Sequence, residues 1–416
     1  MSKLDEIKLL NEKYKEYSNS VLPLCAAENA MSDFSKLPLS SSIQEKYILG
    51  GTLSLNKDHN FIEGELLFEY YDFLTQLCQE IFGAKYTDAR TLSGMNALTT
   101  LLMSTFEIGD KVLVSSIDSG GHDSIYRLCY RLGLEVEILP FDFEQYDFNY
   151  EKINQIIEND CIAGIIIAPS DIQYYHHLEN LKLNDTILIY DATQILGFIA
   201  TDKTINPLYI FPEDSNVFLM GATHKTLPGP SCGIIMCRNL SLAKKVDEKI
   251  NPMFLRNTQM HQILSLIYTL LEFQEFGKKY MHAIHKNVQE MTFLLESSGF
   301  ELIKKANLTS QTHQIHFYLD KDIRNSFYKK AIEYSVSLNQ RDKLVYRGSG
   351  IRLGLQEIAR YNYSQKDLKI VVDVLRTLRG ENQFYNSEGL SEALNILKQK
   401  RKIHYTFMDI DQTSFI

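Results

Sequence analysis

From about residue 88 onward, short unbroken apolar runs alternate with stretches of helical periodicity, and this alternation limits the possible folds more than any other feature. The runs are Lys111-Val112-Leu113-Val114, Glu135-Val136-Glu137-Ile138-Leu139, Ala163 to Ala168, Thr186 to Tyr190, Val217 to Met220 and Gly233 to Cys237. Continuous Ile, Leu and Val suit strands buried on both faces, as happens when helices cover a parallel sheet. Strand and helix in alternation predict an α/β layered domain with a mostly parallel sheet. Upstream, Leu4, Ile7, Leu10 and Tyr14 predict an amphipathic helix over 3–18, and Leu66, Leu67, Tyr70, Leu74, Leu77 and Ile81 another over 64–82 that Gly83 stops. Residues 251–297 read as mainly helical and form a natural junction. Beyond about 300 the pattern becomes α+β, with a strand at His313–Leu319 and helices at 364–379 and 388–402. The expected organisation is an N-terminal arm and helix (1–60), a large domain (61–260) and a smaller C-terminal domain (261–416). The last segment, 403–416, carries Tyr405, Phe407, Ile410 and Phe415 and is expected to dock on the body or on a partner.

Charge and cysteine usage narrow the function classes. The chain has 43 basic and 52 acidic residues, a net charge of -9, which gives no basic footprint for nucleic acid. The local run Lys398, Lys400, Arg401, Lys402 reads as a solvated helix end. Six scattered cysteines with no C-x-x-C pair read as buried thiols in a reducing compartment, not as disulfides or zinc ligands, and no metal site is expected. The charged N-terminus lacks a following apolar segment, and no apolar run reaches the ~20 residues of a membrane helix. A cytoplasmic enzyme without nucleic-acid or membrane partners is the expectation.

In an open α/β sheet, ligands gather at the carboxyl ends of the strands. The segments following the runs are Pro169-Ser170-Asp171, Asp191-Ala192-Thr193-Gln194, and Gly221-Ala222-Thr223-His224-Lys225-Thr226 followed by Leu227-Pro228-Gly229-Pro230. Upstream, Leu92-Ser93-Gly94-Met95-Asn96-Ala97 leads into the apolar stretch Leu98 to Met103. A small-residue turn at a helix start offers backbone N–H groups and a positive dipole end to a phosphate. An aspartate at a strand end can hold a proton on a pyridine nitrogen, turning the ring into an electron sink. A lysine on a polar loop can form a Schiff base with an aldehyde. His122, in Gly120-Gly121-His122, is available to stack on such a ring. Taken singly, each has a plainer explanation: a turn, a helix cap, a solvated lysine. Their order and strand context together point to pyridoxal phosphate carried by Lys225, with chemistry at the α carbon of an amino acid.

These residues resemble the serine hydroxymethyltransferase family. Thr223-His224-Lys225-Thr226-Leu227-Pro228-Gly229-Pro230 is similar to its T-H-K-T-L-x-G-P, whose lysine carries the cofactor. Asp191-Ala192-Thr193-Gln194-Ile195-Leu196-Gly197 resembles D-x-A-H-I-x-G, whose aspartate meets the pyridine nitrogen. Ser93-Gly94-Met95-Asn96-Ala97 matches the phosphate turn, and Gly120-Gly121-His122 the G-G-H whose histidine stacks on the cofactor. Ala26-Ala27-Glu28-Asn29 resembles A-S-E-N, and Glu45-Lys46-Tyr47 resembles N-K-Y, whose tyrosine reaches the neighbouring subunit's site. Gly350-Ile351-Arg352-Leu353-Gly354 resembles G-x-R-x-G, whose arginine clamps the substrate carboxylate through its bidentate fork. The resemblance runs in order from about residue 20 to about 360. It implies an aspartate-aminotransferase-like fold type I architecture, with a mostly parallel seven-stranded sheet in the large domain and a smaller α+β C-terminal domain, and a homodimer with shared active sites. It also implies that Ser170, Gln194 and Thr223 help hold the cofactor and that Glu28, Tyr47 and Arg352 contact substrate.

The departures bear on the reaction. Where the family continues N-K-Y with A-E-G-Y-P-G, this chain reads Ile48-Leu49-Gly50-Gly51, so Leu49 stands at the position of the glutamate that moves protons in folate-linked exchange. Asn60-Phe61 replaces the family's tyrosine pair, Ala27 the serine of A-S-E-N, and Gln194 a histidine. These changes favour a folate-independent relative, threonine aldolase-like or transaldolase-like, that breaks or makes the Cα–Cβ bond of a β-hydroxy amino acid with an aldehyde as second substrate. His224, Tyr47 or a water would move the protons. The rival readings are the folate-dependent enzyme, with Glu63 or Glu65 as displaced acid, an aminotransferase or racemase, and a non-catalytic scaffold. Retention of Lys225, Asp191 and Arg352 argues against the scaffold.

Overall fold

The apolar runs become strands of one sheet. The computed structural model describes residues 1–50, 61–62, 64–381 and 385–408. Gly51, Asn60, Glu63, Ile410 and Phe415, named above, lie outside the described residues. Two units are present: Met1–Glu28 with His282–His404, and Asn29–Met281 with Tyr405–Ile416 as far as these are described.

The larger unit is built on a seven-stranded sheet: β1 (Tyr86–Asp88), β2 (Lys111–Val114), β3 (Glu135–Ile138), β4 (Gly164–Ile167), β5 (Ile187–Asp191), β6 (Val217–His224) and β7 (Pro228–Cys237), in the order β1-β7-β6-β5-β4-β2-β3. Strand β7 is antiparallel to both neighbours, and every other pairing is parallel. The carboxyl ends of the other six strands therefore open on one edge. The helices Gly94–Thr105, Ser124–Arg131 and Tyr150–Asn159 lie between successive strands. Val112, Val114, Ile166, Ile189, Phe218 and Ile235 form one buried cluster with Leu98, Leu101 and Leu102 of the first of these helices. Burying such side chains contributes about 1.5–3 kcal/mol each. Contact is close enough that a Cβ on Gly164 would stand 2.2 Å from the Phe106 ring.

Strand β1 has no long apolar run, and the sequence reading missed it. Its pairing with β7 brings Thr87 and Asp88 to complete burial. The Asp88 carboxylate is tolerated there because Arg90 meets it. Arg90 Nε donates to Asp88 Oδ2 at 2.9 Å, Nη2 donates to Asp247 Oδ1 at 2.7 Å, and Nη1 donates to the Gly50 carbonyl at 2.7 Å. Asp247 comes from the helix Leu240–Lys249.

The smaller unit carries an antiparallel sheet, β8 (Glu301–Leu302), β9 (Gln314–Tyr318), β10 (Asn339–Arg341) and β11 (Gly350–Gly354), ordered β8-β9-β11-β10. The helices Lys321–Glu333, Gln365–Arg379 and Ser387–Lys398 pack in sequence beside it. The predicted 388–402 helix thus stops at Lys398. The helix expected at 3–18 spans Lys3–Ser20, opened by a reciprocal Ser2–Asp5 cap, but none of its residues is buried. Leu4, Ile7, Leu10 and Tyr14, the expected inward stripe, are all exposed. Helical periodicity marked the helix correctly; what covers an apolar stripe is not encoded in its spacing. Five cysteines are buried free thiols, whereas Cys161 is exposed. Among the described residues no helix is long and apolar enough to cross a membrane.

Candidate functional site

The parallel strands deliver their following loops to one edge. His122 follows β2, Ser170 follows β4, Asp191 ends β5, and Lys225 follows β6. Two of these loops are stitched together: Ser170 and Asp171 N–H donate to the Gly120 carbonyl at 2.8 and 3.0 Å, and His122 N–H donates to the Ala168 carbonyl at 2.9 Å. Gly120 has φ +94°, and a Cβ there would stand 2.4 Å from the Asp171 carbonyl oxygen. Only glycine fits this crossing. The His122 ring is partly exposed, and its Nδ1 accepts from Ser124 N–H at 3.3 Å.

Asp191 pairs in register with Met220, so Gly221 to Lys225 project beyond the end of β5. The half-buried Asp191 carboxylate is oriented by Thr193, whose N–H donates to Oδ1 at 2.9 Å and whose hydroxyl donates to the same oxygen. Oδ2 has no donor among the described residues. The Thr193 hydroxyl in turn accepts from Ala222 N–H at 2.8 Å, fixing the aspartate against β6. Thr193 was absent from the sequence-based site residues. The signal that could have found it is the Asp-x-Thr spacing, in which an aspartate accepts from the N–H two residues on.

The helix Gly94–Thr105 starts beside this point. Ser93 caps it by accepting from Asn96 N–H at 3.1 Å, and Asn96 Oδ1 accepts from Leu92 N–H at 3.0 Å. The N–H groups of Gly94 and Met95 have no acceptor among the described residues, as expected of a first helical turn. A Cβ on Gly94 would lie 3.1 Å from Ala222 Cβ and 3.4 Å from Thr193 Oγ1, so the helix start, the end of β5 and β6 meet closely.

Lys225 is half-buried in the turn between β6 and β7, where His224 pairs with Pro228. Its carbonyl accepts from Asn29 Nδ2. Thr223 is fully buried, and its hydroxyl donates to the Pro230 carbonyl, tying the turn shut. The Thr226 hydroxyl donates to the Gln194 carbonyl at 3.0 Å and accepts from Gly197 N–H at 3.1 Å, joining the lysine turn to the segment after Asp191. The Gln194 side chain is buried. His224 Nδ1 is buried without a hydrogen-bond partner among the described residues. Burial, helped by the Lys225 cation, pushes the His224 pKa down, so the ring is neutral near pH 7.

The structure thus brings Ser93, Gly94, Met95, His122, Ser170, Asp191, Gln194, Thr223, His224 and Lys225 to one edge of one sheet. Tyr47 belongs to the same unit, 43% exposed, with its ring 5.0 Å from that of Phe61. Glu28 and Arg352 belong to the other unit. There Arg352 is buried in β11, and its Nε and Nη2 donate to Asn339 Oδ1 at 3.2 and 2.9 Å. Glu28 is exposed, and its carbonyl accepts from Gln356 Nε2 at 2.6 Å. The donor set of the large unit fits a phosphorylated pyridine aldehyde: two N–H groups without acceptors at a helix start, a carboxylate with one oxygen directed and the other open, and a primary amine on an adjacent turn.

A family model described as Serine hydroxymethyltransferase matches residues 3–375. A serine hydroxymethyltransferase of Sulfolobus acidocaldarius is 27% identical over 410 residues, covering 94% of this chain and 92% of that relative. One of Methanopyrus kandleri is 26% identical, covering 88% and 86%. Among solved structures, that of L-threonine transaldolase from Pseudomonas fluorescens, in an internal aldimine state, superposes with a TM-score of 0.87 at 22% identity, covering 99% of this chain and 96% of that one. That likeness speaks to the fold: the architecture is fold type I.

Proposed function

Because the chain belongs to the serine hydroxymethyltransferase family, we propose that it is a folate-independent member that makes or breaks the Cα–Cβ bond of a β-hydroxy amino acid, in aldol, retro-aldol or transaldol chemistry with an aldehyde. It is a pyridoxal phosphate enzyme acting on small amino-acid substrates. When bound, the cofactor supplies an electron sink that stabilises negative charge at the amino-acid α carbon.

The chain's own residues divide the remaining work. Gly94 and Met95 N–H, capped by Ser93, would receive the phosphate at the positive end of their helix, with Ser170, Gln194 and Thr223 as further residues to hold the cofactor. Asp191, held by Thr193, keeps a proton on the pyridine nitrogen through Oδ2. His122 covers the ring. Lys225 would supply the amine that holds the cofactor. His224, kept neutral by its surroundings, accepts a proton at Nδ1. Arg352 binds the substrate carboxylate, and Asn339 fixes the plane of its guanidinium. Tyr47, exposed in the single chain, fits a role in the neighbouring site of a homodimer, with Glu28 at the substrate.

The observation that carries folate independence is Leu49. It is buried at 7% exposure. The segment is fastened on either side, with Ile48 N–H donating to Asn257 Oδ1 at 3.0 Å and Thr258 N–H donating to the Ile48 carbonyl at 3.2 Å. A buried leucine offers no proton where the family carries a glutamate. The second reading is folate-dependent serine hydroxymethyl transfer, which the names of the archaeal relatives favour. It would need another acid, such as the exposed Glu65 at the start of the helix Gly64–Phe82.

The test is incubation of the yellow holoenzyme with threonine, followed for acetaldehyde. Release without tetrahydrofolate, lost in Lys225→Ala, is the expected result. Turnover of serine that strictly requires tetrahydrofolate, with no aldehyde from any β-hydroxy amino acid, would overturn the proposal. Borohydride reduction should fix the label at Lys225, and release of pyridoxamine phosphate would indicate transamination instead.

A further inference from the structure

The short segment from Tyr405 to Met408 returns to the larger unit and docks on the helix Met260–Ser297 and the stretch Asn29–Lys36. The Tyr405 ring lies against Tyr280, with centroids 5.5 Å apart. Phe407 packs edge-on to Phe34 at 5.3 Å and to Phe276 at 5.2 Å, and Phe34 itself stacks on Tyr268 at 4.6 Å. Between these rings the Thr406 hydroxyl donates to Glu272 Oε1. Glu272 is buried at 2% exposure and has no ion pair among the described residues. Its other oxygen accepts from Ser32 and Ser35 hydroxyls at 2.7 and 3.0 Å. Thr406 thus completes the hydrogen bonding of a buried carboxylate, which is costly to leave unmet. Tyr405 adopts φ +60°, a conformation a tyrosine holds only where its surroundings offset the strain.

The segment is also connected to the lysine turn. Tyr280, buried and covered by Tyr405, accepts through its hydroxyl from Asn29 Nδ2 at 2.8 Å. The same Asn29 amide nitrogen donates to the Lys225 carbonyl. Asn29 Oδ1 accepts from Ala30 N–H at 2.9 Å, which holds the amide in that orientation. The path is therefore continuous: Tyr405 ring, Tyr280 ring and hydroxyl, Asn29 amide, Lys225 main chain.

We propose that residues 405–408 form a strap that positions the Lys225 turn, with Tyr405, Tyr280 and Asn29 as positioning residues. The strap touches no reacting atom. It keeps the Tyr280 hydroxyl where it holds Asn29, and Asn29 holds the peptide that aims the lysine amine. This inference rests on the assignment of Lys225 as the cofactor-bearing residue.

Hydrogen–deuterium exchange of the cofactor-free protein over residues 223–230 tests the proposal, alongside titration with pyridoxal phosphate. Loss of one such hydrogen bond raises local opening about tenfold. Tyr280→Phe, which keeps the ring but removes the acceptor, should speed exchange in 223–230 about tenfold with little change in exchange at 405–408. Tyr405→Ala should speed exchange in both 223–230 and 405–408, truncation after His404 should speed it in 223–230, and each should weaken pyridoxal phosphate binding about tenfold. Tyr405→Phe, which keeps the ring pair, should match the parent. Exchange in 223–230 that stays within twofold of the parent in Tyr280→Phe and Tyr405→Ala would overturn the strap, whatever happens to thermal stability. If truncation prevents folding, the two point variants still decide. A chain that takes up no cofactor would sink the proposed function, but the exchange experiment on the cofactor-free protein would still judge the strap.

Discussion

The buried triad of Asp88, Arg90 and Asp247 allows a sharp test by Arg90→Met. The three side chains are 0%, 1% and 0% exposed, so two carboxylates share one guanidinium with no water to help. Burial opposes the arginine's charge, but Asp88, Tyr86 and Asp247 outweigh it and hold its pKa above the ordinary value. Methionine fills similar volume and removes the cation. Asp88 keeps the Arg90 backbone N–H and the Tyr86 hydroxyl, both at 2.9 Å, while Asp247 keeps the Tyr86 hydroxyl at 3.4 Å. Breaking a buried pair from one side costs about 3–5 kcal/mol, a fifth or more of a typical ~5–15 kcal/mol stability. With a urea slope of ~1–3 kcal/mol per molar, the midpoint should fall by about 1–5 M. Urea unfolding of the cofactor-free protein, followed by circular dichroism, measures this. Arg90→Lys, which keeps charge but not the fork, should fall in between. Adding Asp88→Asn and Asp247→Asn to Arg90→Met should recover much of the loss. The Gly50 carbonyl also loses its donor, so activity should drop beyond what the lost folded fraction explains, through the segment that carries Tyr47. A cost below about 1 kcal/mol for Arg90→Met would refute the argument that the guanidinium is what makes two interior carboxylates tolerable.

Three further outcomes are expected. Thr193→Val strips the hydroxyl donor from Asp191 Oδ1, leaving only the backbone N–H, and the acceptor from Ala222 N–H; it should weaken pyridoxal phosphate binding about tenfold and lower stability by about 1–3 kcal/mol, read by cofactor titration and thermal melting. Gly120→Ala combines a φ of +94° with a 2.4 Å approach to the Asp171 carbonyl oxygen. It should destabilise by about 1–3 kcal/mol or more and displace the loop carrying His122, which the cofactor's visible band would report. His176, half-buried beside Phe148 and Tyr190, has its pKa pushed down to about 4 by burial, with Asp147 opposing and His177 adding to the shift. Its folded pKa is depressed, so the stability it contributes is present above about pH 6.5 and is lost as the pH falls towards 4, by about 3 kcal/mol in full. Melting temperature against pH should fall less steeply over that window in His176→Gln.

The sheet was legible because most of its strands are apolar runs whose burial shows in their composition; the edge strand Glu135–Ile138 carries two glutamates and has no buried residue, and was found by its alternation with helices. Strand β1 was not, because Tyr86-Thr87-Asp88 is mixed in character and owes its conformation to β7. The same limit hid the ion triad: Asp88 and Arg90 look solvated until folding brings Asp247 from a distant helix. The site residues on the sheet edge were legible because their loops follow the strands in sequence. Thr193 and Asn29 were not singled out for their contacts, since what each does depends on a partner in another segment, Ala222 for one and Lys225 for the other. For the C-terminal segment, its aromatic residues announced docking but not the surface. Tyr405 and Phe407 find theirs on Tyr280, Phe34 and Phe276.

The placement of β7 between β1 and β6 has a consequence for biosynthesis. Asp88 has its strand partner at Ile235, so the first strand made must wait for the last. At ~5–20 residues per second the interval on the ribosome is roughly 7–30 s. Throughout it, Asp88 lacks its sheet, and its arginine lacks Asp247. On the proposed assignment the Gly94 turn emerges early and Lys225 late, so cofactor capture would follow synthesis of most of this sheet and would not nucleate it. A nascent chain arrested before Cys237 should remain colourless.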